Sequence, residues 1–151
     1  MTARPGRSGA TAVTNVNAGT LARVAAAARS VPRTEHDRLT RRLIMAGAGR
    51  DLRALSEILT SDAIVVSDVG GSAPEGDAIV CGAEDAARLV AAVLGHPGTQ
   101  PTLVEINGRL GIVVSRGKDV VAVVAPEASL EGIAAIWIVR NPAKLRTWRS
   151  S

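Results

Sequence analysis

Four apolar runs follow one another in the last third of the chain: Leu103 to Ile106, Leu110 to Val114, Val120 to Ala125 and Ile133 to Val139. Asn107-Gly108, Arg116-Gly117-Lys118-Asp119 and Glu127 to Gly132 separate them. Asn-Gly supplies the two left-handed residues that a tight hairpin turn needs, and between two apolar runs it is the strongest short hairpin signal. The punctuation therefore predicts an antiparallel meander, against which the upstream chain must pack.

Upstream the periodicity becomes helical. Thr34-Glu35-His36-Asp37 reads as a helix start, with Thr34 as the cap and an acid three residues on. Leu39, Leu43 and Ala46 continue it as one stripe, and Gly47 and Gly49 are expected to break it. Leu52, Leu55, Ile58 and Leu59 mark the inward side of a second helix. Ala63 to Ser67 reads as a strand, Asp68 to Pro74 as a loop, and Ala78 to Val80 as a short extended piece ending at Gly82. Residues 83–94 form a third helix, with Glu84 and Asp85 at the end where the helix dipole favours acids. Helices, a strand, a helix and then a meander make an α+β chain with its helices on one face of the sheet. Residues 1–32, dominated by Gly, Ser, Thr, Ala and Pro, read as a flexible basic segment with one short alanine-rich helix at most. The expected organisation is that segment, a domain over 33–148, and a tail over 149–151.

Composition narrows the chemistry. The chain has 151 residues, enough for one domain with a real core, and its only aromatics are Trp137 and Trp148. The core must be Leu, Ile, Val and Ala. With no Tyr, a common phenolic acid or oxyanion donor is missing. Cys81 stands alone, which rules out an internal disulfide and fits a reducing, cytoplasmic setting. No long apolar run follows Met1, and no stretch approaches a membrane span. Residues 1–50 carry a net charge of +7, residues 51–131 a net of −7, and the tail from Arg140 a net of +4. Only the two ends could meet phosphate; the body is acidic.

Candidate sites are few. His36 and His96 have no second His or Cys at ligand spacing, so no metal site is expected. Acid–base chemistry needs an ionisable group on an inward strand position, and the late strands offer almost none. Glu105 alternates with Val104 and Ile106 and is one pocket candidate; Trp137 is the other, although core is its simpler role. Asp68, at a strand end beside Gly70 and Gly71, is the best single acid; its ordinary role is to bond its own turn. Asp68-Val69-Gly70-Gly71-Ser72 leaves amides open but has neither the Lys nor the following helix of a phosphate loop.

The end of the chain carries a further mark. Ile136-Trp137-Ile138-Val139 is an apolar strand halted by Asn141-Pro142, because proline donates no ladder hydrogen bond. From about Arg33 to Trp148 the chain resembles the SnoaL-like domain attached to sigma-J type extracytoplasmic-function sigma factors of actinobacteria. Ser67-Asp68-Val69-Gly70-Gly71-Ser72 is similar to that family's Asp-Gly-Gly-Gly-Lys loop, with Val69 and Ser72 as departures. Ile106-Asn107-Gly108-Arg109-Leu110-Gly111 is similar to its Val-Asn-Gly-x-x-Gly segment. Val139-Arg140-Asn141-Pro142-Ala143-Lys144-Leu145 matches its closing Val-Arg-Asn-Pro-Asp-Lys-Leu signature, with Ala143 in place of the acid.

The resemblance implies a cone of the nuclear-transport-factor-2-like kind, a curved antiparallel sheet wrapped around helices. It implies sigma regions or RNA polymerase as partners, no cofactor, and a homodimer by analogy. Gly70 and Gly71 should shape the loop, Asn141 and Pro142 fix the corner after the last strand, and Lys144 offer charge to a partner; Asp68 and Leu145 complete the set. About 32 residues precede the domain here, too few for promoter-reading helices, so direct DNA binding is not expected of the chain alone. A fold does not settle a function. The leading expectation is a non-enzymatic module that acts by protein contact in transcription control; the alternatives are a cyclase- or isomerase-type protein that uses the cone pocket and a remnant without a role.

Overall fold

In the computed structural model, which describes residues 31–68 and 78–148, Asn107 and Gly108 adopt φ of 51° and 82°. This is the left-handed pair that a two-residue hairpin turn demands. They join β3 (Gln100–Ile106) to β4 (Arg109–Arg116); Gly117 (φ 61°) helps turn the chain into β5 (Asp119–Ser129), and β6 (Gly132–Val139) follows. The meander is antiparallel throughout. β1 (Leu59–Asp68) lies parallel to β6 on its other side, and β2 (Ala78–Cys81) pairs antiparallel with β1. The sheet order is β2-β1-β6-β5-β4-β3. Four of its five pairings are thus antiparallel. The parallel one depends on where the chain between β1 and β6 runs, which neither strand encodes locally.

Helices α1 (Arg33–Ala48), α2 (Leu52–Ile58) and α3 (Ala83–Leu94) fall where the periodicity places them, with three differences. First, α1 begins before Thr34. Pro32 occupies the N-cap with no side-chain cap, so Thr34 lies inside the first turn. Glu35 suits the dipole there, and Arg38, bonded to it at 2.9 and 2.7 Å, holds its carboxyl below the usual range. Second, Gly47 does not break α1. A Cβ at Gly47 would lie 2.4 Å from Leu94 Cδ1, so the missing side chain lets α1 and α3 touch. Third, Leu59 opens β1 and Leu52 is exposed; only Leu55 and Ile58 of that set point inward from α2.

The helices cover one face of the sheet. Leu43, Leu55 and Leu94 from the helices meet Val65, Ile112 and Ile136 from the strands in one contiguous buried layer. Each such side chain contributes roughly 1.5–3 kcal/mol on burial, so this layer is the main source of stability. Val31 also belongs to it, so packing begins two residues before the expected boundary at Arg33.

Candidate functional site

β6 stops where its chemistry requires. Arg140 N–H donates to the Asp68 carbonyl at 2.7 Å, the last rung beside β1, and Asn141-Pro142 then turns the chain away. Asn141 is extended, and its Oδ1 accepts from the Ala143 N–H at 3.0 Å. Pro142 takes the first helical position, where a missing N–H costs nothing. The short helix α4 (Pro142–Leu145) and a 3₁₀ turn over Arg146–Trp148 complete the corner. Leu145 is buried against Val113 and Val123 on the sheet face opposite α1–α3, with Trp148 packed beside them.

Two further contacts tie the corner to β1. The Lys144 ammonium pairs with Asp68 Oδ2 at 2.5 Å, and Arg140 Nη2 donates to Ser67 Oγ at 3.0 Å. The structure therefore brings together Asp68, Asn141, Pro142, Lys144 and Leu145. Gly70 and Gly71 lie outside the described residues. Lys144, expected to offer its charge to a partner, is engaged within the chain by Asp68. Asn141 and Pro142 do shape the corner. Replacing Asn141 by alanine removes the cap of α4 and is expected to lower stability by about 1 kcal/mol in urea unfolding.

The other named residues sit elsewhere. Glu105 is exposed and pairs with Arg33 at 3.4 Å. Trp137 is half-buried and alternates with the inward Ile136 and Ile138, so it faces away from α1–α3. Its indole N–H donates to Glu127 Oε2 at 2.8 Å. Neither belongs to the buried layer between helices and sheet. The buried histidine is His36, 2% exposed, with Nε2 at 2.9 Å from the Leu110 carbonyl. A carbonyl only accepts, so the proton of that bond sits on Nε2; Nδ1 is buried without a partner. His96 is exposed. Among the described residues, no three His, Cys, Asp or Glu side chains are grouped to hold a metal ion, and no helix is long and apolar enough to cross a membrane.

Sequence reasoning missed Lys118 and Arg146. The β5–β6 ladder ends at Val123 opposite Val139, so the first residues of β5 have no strand on that side. They face the corner instead. A cleft of about 690 Å³ opens between them, lined by Lys118, Asp119, Val120, Val121, Arg140, Pro142, Leu145 and Arg146. The signal was the cationic turn Arg116-Gly117-Lys118-Asp119, but only the register sets it beside Arg140.

No protein-family model and no curated protein matches the chain. Solved structures do. An NTF2-like protein of unknown function from Mesorhizobium loti superposes with a TM-score of 0.54 at 20% identity, covering 72% of this chain and 93% of its own. The extracytoplasmic-function sigma factor SigJ of Mycobacterium tuberculosis superposes with a TM-score of 0.54 at 23% identity over 74% of this chain. The match spans 44% of SigJ, less than half of that protein. A protein proposed to be a ketosteroid isomerase, from Kribbella flavida, gives a TM-score of 0.51 at 16% identity, covering 70% of this chain and 77% of its own. The mixed six-stranded sheet of the described residues, with α1–α3 on one face, and its superposition on these proteins give this chain the α+β cone of the NTF2-like fold.

Proposed function

We propose that this chain is a non-enzymatic regulatory module that modulates transcription initiation by contact with sigma factor regions or RNA polymerase in the cytoplasm. The observation that carries the reading is the corner after β6. Residues far apart in sequence meet there in a capped, ion-paired structure, and Arg140 and Arg146 beside it are exposed. The likeness to SigJ over 74% of the chain supports the choice of partner. The buried layer between helices and sheet is aliphatic, which weighs against an isomerase- or cyclase-type pocket. His36, the ionisable side chain buried there, is committed to the Leu110 carbonyl.

The test is co-elution. The full chain is mixed with an extracytoplasmic-function sigma factor of the same genome, freed of any extension of its own, and run on a sizing column. A shared peak supports the reading. Separate peaks, matching those of an unrelated basic domain used as control, contradict it.

A further inference from the structure

The cleft beside the corner joins two chemistries. Its floor is apolar, formed by Val120, Pro142 and Leu145, with Val121 turned toward the other sheet face, and Lys118, Arg140, Arg146 and the acid Asp119 complete the lining among the described residues. Among the described residues, none of these three cations is in an ion pair. Arg140 is steadied by the neutral Ser67 hydroxyl, so its position is set without loss of charge. Among the described residues, the backbone of Asp119–Ala122 has β4 on one side, with a bulge at Val121, and no strand on the other, since the β5–β6 pairing begins at Val123.

We propose that this cleft binds an extended peptide segment of a partner protein in which carboxylate side chains alternate with aliphatic ones. An extended segment puts successive side chains on opposite faces. One set can lie on the apolar floor while the other meets the cations, and its backbone can pair with the open side of β5. Nucleic acid fits less well. Among the described residues that line the cleft none is aromatic to stack a base, and the apolar side chains there would go unused by a sugar–phosphate backbone. The identity of the protein that supplies the segment rests on the function proposed above; the chemistry of the segment does not.

The probe is a short fluorescent peptide alternating glutamate with leucine, titrated by anisotropy into the full chain. Binding is expected, and the exposed double variant Lys118→Glu/Arg146→Glu should weaken it about tenfold or more while leaving the thermal melt unchanged. An all-glutamate peptide and a lysine–leucine peptide should bind more weakly. No binding of the probe, equal binding by the variant, or full displacement by single-stranded DNA would each overturn the proposal. The outcome separates from that of the functional reading. Peptide binding lost in the variant, with no sigma complex, leaves the cleft standing alone. A sigma complex that the variant does not weaken, with no peptide binding, removes the cleft and keeps the partner.

Discussion

Replacing His36 by alanine is expected to lower the unfolding free energy by about 3–4 kcal/mol. The ring is almost wholly buried, so its loss opens a cavity in the layer between α1 and the sheet. The Leu110 carbonyl also loses its side-chain donor, a separate cost of about 1–3 kcal/mol if nothing replaces it. His36→Leu separates the two terms by filling the space without restoring the donor, and should cost about half as much. Urea unfolding of the two variants checks this. A histidine that served as a proton carrier in an open hollow would behave differently, since its removal would leave stability within about 0.5 kcal/mol of the parent. The measurement therefore bears on function as well as on folding.

Gly47→Val is the second large effect expected. The added Cβ would meet Leu94 at Cδ1, Cβ and Cγ, at 2.4, 2.8 and 3.1 Å. Leu94 is itself fully enclosed and cannot swing away, so α1 and α3 must separate. Overpacking of this kind costs about 3 kcal/mol, against a helix-propensity gain of a few tenths at most. Combining it with Leu94→Ala should recover part of the loss, with a coupling of about 1 kcal/mol in a double-mutant cycle. Strictly additive losses would mean that the two helices do not rely on this contact.

These residues also show what the sequence could and could not say. Period and punctuation located the helices and the meander, because Asn107-Gly108 and the apolar stripes act locally. Gly47 was misread for a physical reason: the same residue that weakens an isolated helix permits a close helix crossing, and only the partner Leu94 decides which applies. The corner was legible in part. Asn141-Pro142 announces the stop of the last strand; the helix that Asn141 caps beyond it was not read from the sequence. The Lys144–Asp68 pair was not legible, since 76 residues separate its members and only the parallel β1–β6 register unites them. The cleft was hidden for the same reason. Lys118 and Arg146 are ordinary surface cations until the early end of the β5–β6 ladder sets them beside one another. Trp137 shows the opposite error. Its place on an apolar strand suggested core, but strand alternation turns it outward, and Glu127 satisfies its indole N–H.

Under the proposed function this molecule acts through the outside of its C-terminal corner, and its interior is structural. The most direct test is a titration of unlabelled sigma factor into the full ¹⁵N-labelled chain, followed by backbone amide shifts. The perturbed amides are expected to cluster at Lys118 to Val121, Arg140, Asn141 and Ala143 to Arg146. Shifts confined to the helices and the inward strand positions, or no shifts at saturating partner, would contradict that function.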